Sequence, residues 1–379
     1  MNQAPTLCMI FEAIGPYSAI GKVAMSGVRT ALDAGWRVTV VAKLLDESLR
    51  DEVEWLRLYV PPRLFFVQWV TARHFIRQSL GDRAFDVVHA HQPQVADLAD
   101  VFQCHYLTRM AYERKCLERR PGLRAAAVRA QEQGVLYAED YFYRRWNPKT
   151  RMLFDSELTR KDFQRLYGLP PREQVLLYSS PPLDIPSEQE RRETRRKILG
   201  LEYKGIVVGY LGGLHERKGY RRLIQGLQGD NDTFLLMGGQ YCDGFTVPSM
   251  PGRFKAVGLV SDTAAFYAAC DIFAVPSYYE PFGLVALEAA ARGLPVVATA
   301  EVGALPHLLE YGAGVAWDPT QPLGPLVHSI TFDRVDLRGG AQRMAEDLSD
   351  DRQGQRLLEV YDQVLREKGG ATPQKDVAV

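Results

Sequence analysis

The sequence lacks any paired arrangement of cysteines. Its 379 residues include five cysteines that lie far apart, and no Cys-x-x-Cys pair occurs. This pattern disfavours a disulfide framework and a cysteine-based zinc site, and it is typical of a protein from a reducing compartment. We therefore expect a cytoplasmic protein.

Long apolar runs and an excess of one charge are also missing. No apolar stretch approaches 18 residues, no basic leader precedes the first apolar run, and 46 basic residues balance 46 acidic ones. We expect no membrane-spanning helix, no signal peptide and no nucleic-acid partner. Arginines and aromatic residues do concentrate in 105–151. That segment is either a solvated helical surface or a peripheral contact with the inner face of a membrane.

The length and the 46% hydrophobic content predict two domains, each with its own core. Strand-like and helix-like segments alternate twice, separated by a Pro-rich break at 179–187. Alternation with nearly continuous apolar strands indicates an α/β fold with doubly wound parallel sheets. We place the first domain at 1–178, the second at 179–350, and a C-terminal helix and tail at 351–379.

A glycine-rich loop follows the first predicted strand of the second domain. Gly212 and Gly213 come directly after the strand, and Arg217 and Lys218 precede Gly219 at the start of a helix. Glycines permit close backbone approach, and the two basic residues supply charge for a phosphate. A tight turn with solvated basic residues is the alternative.

Two carboxylates flank a predicted helix start further along the chain. Glu280-Pro281-Phe282-Gly283 leads into the helix, and Glu288 lies about one turn inside it. A helix N-terminus suits an anion such as a diphosphate, whereas carboxylates repel phosphate and suit sugar hydroxyls. An anion beside hydroxyl groups indicates a nucleotide sugar. The alternative interpretation is a pair of exposed surface carboxylates.

Together these motifs resemble the retaining glycosyltransferases of family 4, which have the GT-B fold. The segments that carry the resemblance are Gly212-x-Leu214-x-x-x-Lys218-Gly219, Glu280-Pro281-Phe282-Gly283 with Glu288, and Gly293-Leu294-Pro295-Val296-Val297. Weaker similarity occurs at 32–41, 86–91 and 154–160. The resemblance implies two Rossmann-like domains that face a central cleft, with the C-terminal helix packed back toward the N-terminal domain. The first domain would bind the acceptor and the second the donor.

The resemblance also implies roles for individual residues. Lys218 would contact the donor diphosphate, Glu280 the transferred sugar and Glu288 the nucleotide ribose. His105 matches a histidine that the family carries near the donor sugar, and His105, Glu280 and Lys218 form the expected catalytic set. The implied donor-binding set is Gly15, Gly21, Gly212, Gly213, Arg217, Lys218, Val260, Glu280, Phe282, Gly283, Leu284 and Glu288.

Two departures from the family pattern concern the diphosphate. Gly213 occupies a position where the family commonly has arginine, and Arg217 could supply the missing charge. Gly21 stands alone where a glycine pair is usual. No Asp-x-Asp pair is evident, and His89 and His91 are expected to face opposite sides of a strand. We therefore expect neither a metal site nor a cofactor.

The resemblance leaves the substrates and the exact reaction open. Uridine diphosphate sugars are the commonest donors in the family, and guanosine diphosphate sugars come next. The acceptor would be a hydroxyl of a sugar, a lipid-linked molecule or a small molecule. A nucleotide-sugar 2-epimerase, a disaccharide phosphorylase and a non-catalytic nucleotide-sugar sensor remain as alternatives.

Overall fold

A computed structural model describes residues 4–59, 65–114, 123–330 and 334–369. The chain divides into two compact units. One contains the chain up to Arg109, the stretch that ends at Ser179, and the C-terminal part from Asp350. The other contains Ser180–Ser349 and a short segment that begins at Met110. The division between Ser179 and Ser180 lies at the start of the Pro-rich segment 179–187.

The first unit is built on a parallel seven-stranded sheet with the order β5-β3-β1-β6-β7-β8-β9. The first unit also contains a small parallel sheet of two strands, β2 and β4. The strands are β1 Thr6–Ile10, β2 Ala13–Ile14, β3 Arg37–Ala42, β4 Leu44–Leu45, β5 Glu54–Arg57, β6 Val87–Ala90, β7 Val101–Cys104, β8 Arg151–Phe154 and β9 Glu173–Val175. The helices are α1 Ala19–Asp33, α2 Phe65–Leu80, α3 Thr108–Glu113 (at the division), α4 Leu123–Tyr143 and α5 Glu157–Tyr167.

The last helix of the chain completes the core of the first unit. This helix, numbered α13 below, spans Asp350–Glu367. Its buried Leu357, Val360 and Tyr361 join the cluster formed by the apolar residues of β1, β3 and α1. Gly27 of α1 lies at this contact, and a Cβ there would lie 3.3 Å from Leu357 Cδ2, which is a tight contact. The C-terminal helix thus packs onto the N-terminal domain, as the resemblance implied.

The second unit has a parallel six-stranded sheet with the order β12-β11-β10-β13-β14-β15. Its strands are β10 Ile206–Leu211, β11 Thr233–Gly238, β12 Phe254–Ala256, β13 Ile272–Val275, β14 Val296–Ala298 and β15 Gly314–Ala316. Its helices are α6 Glu188–Leu199, α7 Tyr220–Gly226, α8 Thr263–Ala268, α9 Leu284–Ala291, α10 Leu305–Glu310, α11 Gly324–Ile330 and α12 Arg334–Asp347. The predicted α/β class with two doubly wound parallel sheets is confirmed.

Each sheet has a point where the strand order changes direction. In the first unit β1 lies between β3 and β6, and in the second β10 lies between β11 and β13. Loops that leave adjacent strands in opposite directions open a crevice at the carboxyl ends of those strands, where α/β proteins bind ligands. The glycine-rich loop follows β10, and the loop that contains Glu280 follows β13, so both predicted donor motifs lie at this crevice of the second unit.

Candidate functional site

The glycine-rich loop after β10 packs against the loop after β11. Gly213 has φ +70°, and a Cβ atom there would lie 2.6 Å from the backbone oxygen of Gln240. The Tyr210 hydroxyl donates a hydrogen bond of 2.7 Å to the Gly213 carbonyl and holds the turn in place. The position at which the family named above commonly has arginine therefore has no room for a side chain in this backbone conformation.

A second glycine brings Lys218 against the end of β13. Lys218 ends a 3-10 turn, Glu216–Lys218, and the next residue, Gly219, has φ +73°. A Cβ on Gly219 would lie 1.8 Å from the Pro276 carbonyl oxygen, so only glycine permits this approach. The loops after β10 and β13 thus share one compact surface.

The two predicted cations meet the predicted carboxylate on that surface. Lys218 Nζ lies 2.5 Å and Arg217 Nη1 3.3 Å from Glu280 Oε2. Arg217 is also anchored by a 2.6 Å hydrogen bond from Nη1 to the Tyr279 carbonyl. Among the contacts of the described residues, all hydrogen bonds to this carboxylate go to Oε2. Oε1 is left to accept from a ligand.

The charge state of Glu280 follows from these neighbours. Burial by itself would raise the pKa of Glu280, but the charges of Lys218 and Arg217 outweigh it and hold this pKa below its ordinary range. The Glu280 side chain is only 13% exposed. The site therefore presents an ionised carboxylate whose charge is balanced from within the protein.

Helix α9 begins beside Glu280, as the sequence predicts. Gly283 adopts φ +104° at its N-cap, and Phe282 is buried beneath the loop. The Ala286 N–H donates to the Gly283 carbonyl over 2.8 Å, and the N–H groups of Leu284 and Val285 precede this bond at the positive end of the helix dipole. Glu288 lies on the second turn, where its carboxylate accepts a 2.9 Å hydrogen bond from the Tyr267 hydroxyl.

Val260 borders the same edge of the sheet, in the loop after β12. Gly238 is the last residue of β11, and a Cβ atom there would lie 2.7 Å from the Val260 side chain. The structure therefore brings all ten predicted donor residues of the second unit to the carboxyl ends of its strands or to α9. They are Gly212, Gly213, Arg217, Lys218, Val260, Glu280, Phe282, Gly283, Leu284 and Glu288.

The remaining predicted residues belong to the first unit. Gly15 has φ +145°, and its N–H donates to the Gly21 carbonyl over 3.2 Å. Gly21 lies in the first turn of α1, where a Cβ would meet the Ala13 oxygen at 2.5 Å. The two glycines therefore form one tight turn in the loop that leads from β1 and β2 into α1, at the switch point of that sheet.

His105 follows β7 and is buried, with both ring nitrogens in contact with other side chains. Its Nε2 lies 2.6 Å from His91 Nδ1, and its Nδ1 contacts the Tyr178 hydroxyl. Burial lowers the pKa of His105 well below its ordinary value, and the nearby His91 adds to this effect. The ring is therefore neutral at physiological pH.

The expected orientation of His89 and His91 was wrong. Their rings stack with centroids 4.4 Å apart, because residues two apart on a strand point to the same face. His91 in turn stacks on His105 at 4.9 Å. The three rings form a buried column, which we call the histidine stack, and His89 contacts the Tyr361 hydroxyl of α13 at 2.8 Å.

The sequence did not reveal three residues that contact and position predicted site residues. Tyr267 orients Glu288, Gln240 supports the turn at Gly213, and Tyr178 contacts His105. Each acts through a neighbour brought close only by the fold, so no motif marks it. His91 carried a signal, since it lies in the segment 86–91 that resembles the family.

One group of side chains has the composition of a metal site. Asp230, Asp232 and His328 offer ligand atoms within 4.8 Å of one another. The two aspartates precede β11, so the group lies at the amino end of that strand, away from the loops of the candidate site. Asp230 already accepts from the Thr233 hydroxyl at 2.6 Å and from the backbone of Asp232.

Comparison with known proteins supports a glycosyltransferase architecture. Residues 205–323 match the family model for Glycosyl transferases group 1. The D-inositol 3-phosphate glycosyltransferase of Salinispora tropica is 34% identical over 45% of this chain and 41% of that protein. Its counterpart in Corynebacterium kroppenstedtii is 31% identical over 49% of this chain and 46% of that protein. The matches thus span less than half the length of these relatives.

Solved structures match nearly the whole chain. WaaG, a glycosyltransferase involved in lipopolysaccharide biosynthesis, superposes with a TM-score of 0.70 at 18% identity, covering 94% of this chain and 99% of WaaG. Anabaena HepE, solved in complex with UDP-glucose, gives a TM-score of 0.68 at 18% identity and covers 94% of this chain and 99% of HepE. These structures confirm the predicted GT-B fold. The match of residues 205–323 to Glycosyl transferases group 1 confirms the resemblance to glycosyltransferases.

Proposed function

We propose that the protein transfers a sugar from a nucleotide diphosphate sugar to an acceptor hydroxyl with retention of anomeric configuration. The observation that carries this proposal is the Glu280 carboxylate held against Lys218 and Arg217 beside the N-terminus of α9. Cations and helix N–H groups suit the diphosphate, and a carboxylate oxygen suits sugar hydroxyls. Glu288, fixed by Tyr267, would accept from the ribose.

Departure of the nucleoside diphosphate creates negative charge. Lys218, Arg217 and the positive end of α9 would stabilise that charge without a metal, because they are fixed in place before the reaction. No carboxylate nucleophile is assigned. We therefore favour attack from the same face, assisted by the leaving phosphate, over a covalent glycosyl-enzyme.

Uridine diphosphate sugars are the proposed donors. HepE, which shares the fold, was solved with UDP-glucose, and this supports the choice. The D-inositol 3-phosphate glycosyltransferases among the relatives support a small hydroxylated acceptor as one class to test. A donor panel of UDP- and GDP-sugars, followed by thermal shift and then by release of the nucleoside diphosphate with each acceptor class, would identify both substrates.

Replacement of Glu280 or Lys218 by alanine tests the assignment. Each variant should lower the transfer rate by about 100-fold or more if its side chain stabilises the transition state. Glu202→Ala and Lys204→Ala, at exposed positions of the same unit, are matched controls and should transfer at the wild-type rate. Near-normal turnover in Glu280→Ala would rule out the proposed role of this site.

We also propose peripheral membrane contact through 105–151. Tyr137 and Tyr141, one turn apart on α4, are 73% and 46% exposed, and the Arg145 guanidinium lies 4.1 Å from the Tyr141 ring centroid. The two rings also line a pocket of about 460 Å³. Exposed aromatic rings beside arginine are typical of surfaces that bind anionic lipid. Among the described helices, none is both long and apolar enough to span a bilayer.

Vesicle sedimentation tests this contact. The protein should sediment with vesicles of anionic phosphatidylglycerol and not with phosphatidylcholine alone. A double variant, Tyr137→Ser with Tyr141→Ser, should lose most of the binding, whereas Tyr59→Ser, at a tyrosine 72% exposed elsewhere, should retain it. Failure of the wild-type protein to sediment with either lipid would contradict the proposal.

A further inference from the structure

The contacts of the histidine stack indicate which ring nitrogens of His91 and His105 carry a hydrogen. His91 Nε2 lies 3.2 Å from the sulfur of Met9, and His91 Nδ1 faces His105 Nε2 at 2.6 Å. His105 Nδ1 faces the Tyr178 hydroxyl. His91 and His105 are only 5% and 6% exposed, so their ring nitrogens depend on these partners rather than on solvent.

The thioether of Met9 fixes the direction of this chain. A thioether sulfur can accept a hydrogen bond but has no hydrogen to donate. The contact with Met9 is therefore a hydrogen bond only in the tautomer with the hydrogen on His91 Nε2, and we assign this tautomer. Because a neutral imidazole has a hydrogen on one nitrogen only, His91 Nδ1 is an acceptor.

The hydrogen position on His91 then determines the hydrogen position on His105. A contact of 2.6 Å between two ring nitrogens holds one hydrogen, so His105 Nε2 donates to His91 and His105 Nδ1 accepts from the Tyr178 hydroxyl. We propose that Met9, His91 and Tyr178 lock His105 as its neutral Nε2–H tautomer, which makes His91 and Tyr178 positioning residues for His105. The hydrogen bonds run in one direction, from Tyr178 through both histidines to Met9.

The lock changes the role that His105 can have. Both of its ring nitrogens are occupied inside the first unit, so the ring is neither a proton donor nor a proton acceptor for a substrate while the lock holds. Its ring instead links the loop after β7 to His91, which follows β6, and to Tyr178. This functional step rests on the proposed function, whereas the tautomer itself does not.

Long-range ¹H–¹⁵N NMR of the full-length protein, with histidine rings labelled, reads the tautomers directly. At neutral pH, His91 and His105 should both be neutral with the hydrogen on Nε2. Detection of His105 with its hydrogen on Nδ1 would overturn the proposal.

Met9→Leu tests the origin of the direction, because leucine keeps the volume and removes the acceptor. The share of the opposite tautomer should rise in Met9→Leu, and it should rise in both rings together since they share one hydrogen. Met25→Leu, the same change at a partly buried methionine of the same core, is the control. Rings that respond independently, or spectra of Met9→Leu that match those of the control, would contradict the lock.

Two substitutions of His91 test its positioning role in transfer. His91→Asn can keep an acceptor near the position of Nδ1, whereas His91→Leu leaves the His105 N–H buried without one. We expect kcat to fall about 10-fold in His91→Leu with the donor KM little changed, and to be largely retained in His91→Asn. If His91→Leu does not fold, Tyr178→Phe should lower kcat in the same way.

Equal rates in His91→Leu and His91→Asn, or an unchanged kcat in Tyr178→Phe, would overturn the positioning role. If the wild-type protein transfers no sugar from any donor, the proposed function fails instead. The NMR result still decides the tautomer lock in that case.

Discussion

At the scale of single residues, the candidate site neutralises its own charge. Glu280 faces Lys218 at 2.5 Å and Arg217 at 3.3 Å, so part of the cationic surface that a diphosphate needs is already engaged by a carboxylate. When the phosphates of a nucleotide sugar draw Lys218 and Arg217 away from Glu280, the hydroxyls of its sugar can donate to the carboxylate in their place. A nucleoside diphosphate without the transferred sugar lacks those hydroxyls and leaves the carboxylate without a replacement partner.

Glu280→Gln should therefore bind uridine diphosphate more tightly than the wild-type protein, by about 3- to 10-fold, although it transfers sugar more slowly. Calorimetric titration with uridine diphosphate measures the effect, and Glu202→Gln serves as the control. Weaker or equal binding by Glu280→Gln would show that the carboxylate does not compete with phosphate for the cations.

Gly219 supports a second prediction at this scale. Gly219→Ala should destabilise the protein by about 2 kcal/mol or more beyond the cost of the left-handed backbone, because its Cβ meets the Pro276 carbonyl. Gly244 is the matched control: its φ is +68°, and a Cβ there has nothing within 4 Å. Urea unfolding of both variants gives the difference, and similar values for the two would contradict the expected clash.

The sequence predicted that the proposed donor residues lie in turns and at a helix start, because their types and spacing follow from local backbone chemistry. Glycines before Lys218 and at Gly283 mark turns, and Glu280 lies between a buried strand and a helix. Tyr178 and Tyr267 could not be predicted, since each reaches its partner across more than 20 residues of chain. The sequence also could not explain why glycine stands at position 213, where the family named above commonly has arginine. A side chain there would meet the backbone of Gln240, which lies in another loop.

At the scale of elements, buried histidines on β6 and after β6 and β7 make the first unit sensitive to acid. Burial lowers the pKa of His91 from 6.5 to about 3 and lowers those of His89 and His105 as well. As the pH falls below 6.5 the unfolded chain takes up protons that the folded chain cannot. The stabilisation is therefore complete above about pH 6.5 and is lost progressively below it.

His91 alone should reduce the free energy of unfolding by about 2 kcal/mol between pH 7 and pH 5. Urea unfolding at the two pH values measures the drop. The His91→Asn variant supplies the comparison, because it should lose less stability over the same range by about that amount. Identical drops in the two proteins would contradict the shift.

Strands were the most predictable elements. Continuous apolar runs predict strands over 7–11, 37–42, 205–211 and 271–276, and the observed ends of β1, β3, β10 and β13 lie within one residue of these bounds. The sequence did not predict β5 and β9, which are the edge strands of their sheet. Their sequences, Glu-Trp-Leu-Arg and Glu-Gln-Val, are short and contain polar residues, so they lack a continuous apolar run. The same segment that is rich in arginine and aromatic residues predicts a long helical stretch over 108–145. The structure has α3 and α4 there, and residues 115–122 between them lie outside the described part of the chain.

At the scale of the whole molecule, α13 belongs to the core of the first unit although it comes last in the chain. Leu357→Ala should destabilise that unit by about 2 to 5 kcal/mol, because it removes buried contacts with α1 and the sheet. Hydrogen exchange should report loss of protection in β1 and β3 and little change in β10 and β11. Glu359→Ala, on the exposed face of α13, is the control, and uniform loss of protection in both units would contradict this assignment.

The return of α13 sets an order of events during synthesis. The ribosome delivers β1 and α1 before Ser180–Ser349, and α13 follows that segment. The core of the first unit therefore lacks Leu357, Val360 and Tyr361 until Ser180–Ser349 has been synthesised. Until then Trp36 lacks its contact with Tyr361, whose ring centroid lies 5.4 Å away in the folded unit, and apolar surface that is left uncovered in this way favours aggregation of a nascent chain.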